Sequence, residues 1–383
     1  MWQDFFSDLR GGFWRFWCQT RILFGYKVVD NHLCKIIDLL SCKKIGVLSD
    51  NGVLELAFTS NMLDILSSNQ CELCTSIVGF ESDYLDIKRS IAFFREEKVN
   101  VIIAIGGGSV LDASKVVSYC LVNDVDPLNL RKIRVAYRRP LPLICIPTTF
   151  GSGSEVNMYA HVNDRENGVK IGIKKDFLTP MVALIDPSVA FETPAYIRYF
   201  SAVDAFVHNL EVLSLSREKS PIQEILSLKG LRVIIDNIQK FIIDIDQESA
   251  YNIALASLLG GIGIHNSRTG LIHTMAIPFA HRFGLSHSVS IYPFILEIVK
   301  FNWDMLGHYF GETGCDDFIN MLIDKVLFWY PTDVYNIEIS DDDILWMASK
   351  CMEDRVIFKE NPVKINSDTL VSIYSKVFEC DKV

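Results

Sequence analysis

Two hydrophobic rhythms divide this chain. In its first half, short apolar runs recur between polar connections: KKIGVLSD at 43–50, VNVIIAIGGG at 99–108, PLICIP at 142–147 and MVALID at 181–186. Such runs, bounded by Gly, Pro or an acid, predict strands of a parallel sheet buried on both faces. Between them, apolar positions at helical spacing predict one helix ending near Leu40, after a glycine turn at Gly25, and another over Tyr84 to Lys98. Extended segments between Arg15 and Gly25, a short strand at Ser76 to Gly79 and a hairpin over Asn163 to Gly168 complete this half. After DPSVAFETP the period becomes helical, roughly over Pro194 to Glu218, Ile222 to Ile242, Ala250 to Gly261 and Leu271 to Phe279, with more between Val289 and Phe378. The prediction is an α/β domain over residues 1–187 followed by an all-α domain over residues 188–383.

A chain of 383 residues is long enough for two such cores. Charged residues at 22% and hydrophobic ones at 49% argue against disorder. A net charge of −10 gives no electrostatic reason to bind nucleic acid or an anionic membrane, so any attraction for an anionic substrate must be local. Ten cysteines without a repeating framework predict reduced thiols in a cytoplasm; Cys71 and Cys74 form a lone CxxC with no second pair. The opening MWQDFFSDLRGGFWRFW is aromatic but broken by Asp4, Asp8, Arg10 and Arg15, which suits a segment covering a domain or facing a partner, not a membrane span.

Two loops carry a nucleotide signal. Gly106, Gly107 and Gly108 follow a buried strand and open a helix near Ser109, where backbone N–H groups and the helix dipole suit a pyrophosphate. The pattern is neither GxGxxG nor a Walker loop, and a tight strand-to-helix turn is the alternative. Asp112 and Lys115 on the first turns either orient this loop or solvate the surface. TTFGSGSEV, which holds Thr148, Thr149 and Ser152, offers many small donors after another buried strand. Asp50 ends a strand where it either accepts hydrogen bonds from an adenosine ribose or caps the next helix. These features predict a Rossmann-like dinucleotide-binding domain, with a small-molecule site in the cleft between the domains.

The helical half carries metal-ligand chemistry. Asp204 and His208 are spaced i, i+4 and share one helix face. His273 and His287 lie fourteen residues apart, with Pro278 and Gly284 between, so a helix bearing the first must break before the second is presented. Three imidazoles and one carboxylate suit Fe(II) or Zn(II) with a position open for substrate.

In order and spacing, ILFGYKVVD, KKIGVLSDNGV, GGGSVLDASK, PTTFGSGSEV, IDPSV, DAFVHNLE, the two histidines and MEDRVIFKENPVKIN together resemble the iron-containing (group III) alcohol dehydrogenases, within the superfamily that includes dehydroquinate synthase. The resemblance implies hydride transfer between NAD(H) and an alcohol or aldehyde carbon. It implies Asp204, His208, His273 and His287 as metal ligands. It implies Gly106, Gly107, Gly108 and Ser109 at the pyrophosphate, Thr148 and Thr149 at the nucleotide, and Asp50 favouring NAD(H) over NADP(H). Asp112, Ser152 and Lys170 complete the expected cofactor set, and a homodimer is the expected assembly.

Departures from the family pattern matter too. The position four residues after the third ligand, where the family has a proton-relaying histidine, is Ile277, which cannot relay. His281 and His265 are the substitutes considered. Arg268, where a small residue is usual, predicts recognition of an anionic substrate such as a sugar acid or phosphonate, or else a salt bridge to a neighbouring helix. The competing readings are a dehydroquinate synthase-like lyase using NAD transiently and a non-catalytic relative.

Overall fold

The computed structural model describes residues 14–79, 81–166, 169–215, 219–329, 337–353 and 357–379. Strands β1 (Arg21–Phe24), β2 (Lys44–Ser49), β3 (Glu72–Ile77), β4 (Val101–Gly106), β5 (Leu143–Pro147), β6 (Tyr159–Asp164), β7 (Val169–Lys174) and β8 (Val182–Ile185) make two sheets. The larger has the order β1-β8-β5-β4-β2-β3 with every pair parallel, and β6 and β7 form a separate antiparallel hairpin.

Helices α1 (Val28–Leu40), α2 (Ala57–Ser68), α3 (Tyr84–Glu96) and α4 (Gly108–Asn123) cover the two faces of the large sheet. The reason is visible along β4. Ile102 and Ala104 pack with α3 and α4, while Val101, Ile103 and Ile105 pack with α1 and α2, so both faces are apolar. Each such aliphatic side chain taken out of water contributes about 1.5–3 kcal/mol. The strand order turns back between β2 and β4, and at such a switch point the carboxyl ends of the strands open a ligand crevice.

Sheet gives way to helix at a 3-10 turn, Pro187–Phe191, capped by the Asp186 carboxylate, which accepts from Ser188 N at 3.1 Å. Then follow α5 (Ala195–Ser214), α6 (Pro221–Ile243), α7 (Gln247–Asn266), α8 (Leu271–Phe283), α9 (His287–Ile291), α10 (Ile295–Phe301), α11 (Cys315–Lys325), α12 (Asp341–Cys351) and α13 (Ser367–Glu379). Helix α6 starts at a capping box made by Ser220 and Gln223, with Pro221 in the first turn. Asp246 and Ser249 do the same for α7, which begins before Ala250 and runs past Gly261. The main helical core also takes in Phe150, Val156, Ala183 and Ile185, so helices and sheet edge share apolar contacts.

One expectation changes, and another falls on residues that are not described. The predicted end of α5, Glu218, lies outside the described residues. Helix α8 does not stop near Pro278 but continues to Phe283 and ends at Gly284, whose φ of +67° is the left-handed geometry of a glycine C-cap. The proline is tolerated because the Cys351 thiol, 3.3 Å away, donates to the Thr274 carbonyl that Pro278 leaves unpaired. In the CxxC, Cys74 is buried, its thiol 3.7 Å from the Glu97 carboxylate, and both cysteines are free thiols. Residues 1–13 of the aromatic opening lie outside the described residues, but Trp17 docks on α7, where its backbone exchanges two hydrogen bonds with the Asn266 side chain at 2.8 and 3.0 Å. No helix among the described residues is long and apolar enough to cross a membrane.

Candidate metal centre and nucleotide crevice

Helix α5 is buried along most of its length, and its Asp204 and His208 project from one face as their spacing requires. The first turn of α8 brings His273 to the same point. Asp204 Oδ1 lies 3.6 Å from His208 Nε2 and 3.4 Å from His273 Nε2, and the two imidazoles stack with centroids 4.7 Å apart. Among the described residues, these three form one group whose donor atoms all lie within 4.8 Å of one another.

Each ring is aimed from behind. His208 Nδ1 donates to the Gly151 carbonyl at 3.1 Å, and His273 Nδ1 donates to Glu211 Oε2 at 2.7 Å. Both rings therefore turn Nε2 toward Asp204. Glu211 also accepts from the backbone N–H groups of Gly270 and His273, so one buried carboxylate fixes the start of α8 and the tautomer of its ligand.

His287 stands beside this group without joining it at the same closeness. Its ring centroid is 5.2 Å from that of His273, at the start of a separate short helix, α9, reached through Gly284. The backbone N–H of His287 donates to Glu81 Oε1 at 3.4 Å.

The chemistry of the donors fits a divalent cation. Asp204 Oδ1, His273 Nε2 and His287 Nδ1 are buried polar atoms with no hydrogen-bond partner, which is costly unless a ligand completes them. Burial opposes ionisation of Asp204, yet His208, His273 and His287 together hold its carboxyl well below the usual range. Burial also works against the charge of His273, but Glu211 and Asp204 outweigh it and push that pKa up to about 9. Burial dominates at His208 and His287, whose pKa values move down. A carboxylate held ionised beside the neutral imidazoles of His208 and His287 suits Fe(II) or Zn(II), and His273 joins the donor set by giving up its proton to the incoming cation.

The crevice loops face each other at the ends of β4 and β5. A Cβ on Gly108 would lie 2.8 Å from Ser152 Oγ, and one on Gly107 would lie 3.2 Å from Thr149 Oγ1. Gly107 caps α4, so the free N–H groups of Gly108 and Ser109 open into this space. Thr148 is buried, and its carbonyl accepts from Thr193 Oγ1 at 3.2 Å. Asp50 does cap the short helix that follows it, Oδ1 accepting from Val53 N at 2.9 Å, which leaves Oδ2 outside the cap. Lys170 pairs with Glu81 at 2.7 Å.

Asp112 and Lys115 do not solvate the surface. Lys115 is buried and donates to Ser154 Oγ (2.6 Å), Asn157 Oδ1 (3.1 Å) and the Tyr159 carbonyl (2.6 Å), and it lies 3.4 Å from Asp112. Burial works against the charge of Asp112, but Lys115, His161 and Ser154 prevail and hold its carboxyl at about 2.

The considered replacements for a relaying histidine fall elsewhere. His281 is exposed, about two turns beyond His273 on α8, and its ring stacks on Trp346 with centroids 6.0 Å apart. His265 is buried against Trp17 with neither ring nitrogen hydrogen-bonded, and burial drives its pKa to about 4. Ile277, at 38% exposure, faces open space. Arg268 does meet a neighbouring helix, 3.8 Å from Glu360, and it also lies close enough to Lys174 for the two charges to repel.

Glu211, Glu81 and His161 escaped the sequence reading. The spacing of Glu211 from Asp204 and His208, one further turn along the same face, was a signal for the first. Glu81 and Ser82 adopt φ of 73° and 52°, a left-handed pair that no apolar pattern encodes.

Comparison with known proteins agrees with this geometry. The family model "Iron-containing alcohol dehydrogenase" matches residues 19–187, and that of the "Fe-containing alcohol dehydrogenase family, C-terminal" matches residues 199–378. The long-chain-alcohol dehydrogenase 1 of Geobacillus thermodenitrificans is 29% identical over 72% of this chain and 71% of its own. The 4-hydroxybutyrate dehydrogenase of Clostridium kluyveri is 26% identical over 79% of this chain and 84% of its own. The aldehyde-alcohol dehydrogenase of Streptococcus pneumoniae is 25% identical over 73% of this chain but only 34% of its own, so the chain spans about a third of that relative.

Among solved structures, a 1,3-propanediol oxidoreductase shares the fold at a TM-score of 0.87 with 21% identity, covering 96% of this chain and 100% of the other. The sulfoacetaldehyde reductase of Bifidobacterium kashiwanohense shares it at 0.85 with 18% identity, covering 96% and 99%. With nearly the whole described chain accounted for by two halves of one family in the right order, the protein belongs to the iron-containing alcohol dehydrogenase family.

Proposed function

We propose that this protein is a metal-dependent NAD(H) oxidoreductase that interconverts a small, polar, anionic alcohol with its aldehyde or ketone. One observation carries the reading: His208, part of the buried donor group, is tied through Nδ1 to Gly151 in the loop that walls the nucleotide crevice. That bond supports a metal centre beside the nucleotide crevice.

Asp204, His208, His273 and His287 would hold the metal, which supplies a Lewis acid at the alcohol oxygen, while NAD(H) gives or takes the hydride. The protein's own groups bind and orient. N–H groups at the start of α4 receive the pyrophosphate, Thr148, Thr149 and Ser152 line the nucleotide, and Lys170 reaches it from the hairpin. Asp50 Oδ2 accepts from the adenosine ribose, and its charge repels a 2′-phosphate. Glu211 and the Gly151 carbonyl keep the imidazole rings in the ligating tautomer.

The anionic substrate class follows from a local surplus of positive charge in an acidic protein. Lys174 is half-buried, and its pKa is brought down to about 8, first by burial and then by the nearby Arg268 and Arg15, against the opposing pull of Glu360 and Asp176. Lys174 donates to the Ser267 carbonyl at 2.6 Å, close to the start of the helix that carries His273. An anion at this cluster relieves the repulsion among the three cations. Two of the relatives are named for anionic compounds, 4-hydroxybutyrate and sulfoacetaldehyde.

The test combines elemental analysis of anaerobically purified protein with NADH titration and steady-state kinetics. About one iron or zinc per chain with NADH binding is expected. Arg268→Ala should raise KM for 4-hydroxybutyrate about tenfold or more, at the scale of one lost charge-assisted contact, while KM for 1,3-propanediol changes little. Equal changes in both would end the case for an anionic substrate.

A further inference from the structure

We propose that His161, held by Asp112, is the group through which the substrate's hydroxyl proton leaves the cleft, a role that position 277 cannot fill here. The inference rests on the dehydrogenase reading above and adds a residue to it.

The geometry points to a base anchored on one side and open on the other. His161 lies on β6, and its Nδ1 donates to Asp112 Oδ2 at 3.0 Å, while its backbone N–H donates to the same oxygen at 2.9 Å. The other carboxylate oxygen accepts from Ser154 at 2.5 Å and lies 3.4 Å from Lys115 Nζ, so Asp112 is an ionised, fixed acceptor. An Nδ1–H committed to a carboxylate leaves Nε2 as the basic nitrogen. Nε2 makes no hydrogen bond among the described residues, and the side chain is 39% exposed. It stands beside Gly172, its partner across the hairpin, where an added Cβ would come to 3.8 Å of Nε2.

Geometry ties this hairpin to the candidate metal centre: two residues along β6 from His161, Asn163 stands opposite Lys170, which pairs with Glu81 at 2.7 Å, and Glu81 accepts from the backbone N–H of His287 at 3.4 Å. His161 and Lys170 are both near enough to His287 for their charges to disfavour its protonation. The groups around it are Asp112 and Lys115 from α4, Lys170 with Glu81 across the hairpin, and His287 from α9. Of the eight histidines, His281 sits on the surface and His265 is enclosed without a partner. In the oxidative direction the alcohol's C–H bond breaks with its electron pair going to the nicotinamide, and the O–H bond breaks with its proton going to His161 Nε2. The imidazolium is stabilised by Asp112 and releases the proton to solvent from its exposed edge.

His161→Asn tests this, because Asn keeps a donor toward Asp112 and removes the base. With metal content and NADH affinity unchanged, kcat for alcohol oxidation at neutral pH should fall about 100-fold, and the loss of rate on acidification that a neutral imidazole base imposes should vanish. Added imidazole should restore part of the rate. Independently of turnover, 15N NMR of the wild-type ring should show the Nδ1–H tautomer. An unchanged kcat and pH profile in H161N overturns the relay alone, as does an Nε2–H tautomer in the wild type even if the variant fails to fold. Wild-type protein that carries metal and binds NADH, yet oxidises neither 4-hydroxybutyrate, 1,3-propanediol nor 2-hydroxyethanesulfonate, overturns the dehydrogenase reading and the relay with it.

Discussion

The nucleotide crevice and the metal centre meet at Gly151 but are built in opposite ways. The crevice is made of small residues: Gly107 and Gly108 leave space in front of Thr149 and Ser152, and the proposed pyrophosphate contacts are backbone N–H groups. The metal centre is made of side chains on two helices, each ring steered by a carbonyl or carboxylate behind it. A crevice of this kind loses function when an atom is added, and a ligand cluster when one is removed.

The largest expected effect is therefore on the metal side. His273→Ala removes a ligand and strands the buried Glu211 carboxylate, so bound metal and activity should fall together, by about 1,000-fold or more in kcat. Full metal occupancy in this variant, measured by elemental analysis, would break the assignment. Circular dichroism should show the helices intact, since α8 keeps its apolar face.

An intermediate effect is expected in the crevice. Gly108→Ala places a methyl 2.8 Å from Ser152 Oγ, so the loops must move apart or close on the pyrophosphate position. NADH affinity should drop about tenfold to 100-fold, on the order of 1.4–3 kcal/mol, with metal content unchanged. A variant that lost metal and kept NADH would mean that the two regions depend on each other in a way this comparison denies.

The last effect concerns stability and leaves function at neutral pH least changed. Glu155, in the turn after the crevice loop, is buried, and burial raises its pKa from 4.5 to about 7 against the opposing pull of its own backbone and Lys115. Between those values the native state keeps a proton that the unfolded chain has released, so stability falls as pH rises and the penalty is complete above about 7. The cost is on the order of 3 kcal/mol. Glu155→Gln should therefore raise Tm at pH 8 and change it little at pH 4.5. A variant less stable at both would show that the carboxylate is a needed partner.

Much of both regions was legible locally. The runs at 101–106 and 143–147 announced buried parallel strands, and Gly106 to Gly108 marked the strand-to-helix turn. Asp204 and His208 could be paired because one helical turn relates them. The span of α8 was misread because a local rule, that proline breaks a helix, ignores a thiol 77 residues away that satisfies the freed carbonyl. Asp50 could be either cap or ribose acceptor on sequence grounds, and the fold shows that capping uses one of its two oxygens.

By itself, the sequence determined the alternation of strands and helices, the glycine turn and the shared face of Asp204 and His208, because these depend on periodicity and on neighbours within a turn. Tertiary structure decided the rest. It set Glu211 behind His273 across 62 residues and Asp112 behind His161 across 49. It pressed Gly153 onto Gly261, where a Cβ on the first would lie 2.3 Å from the Cα of the second. Contacts between distant segments depend on how whole layers pack, and hydrophobic spacing along the chain holds no record of which polar group will be found on the facing element.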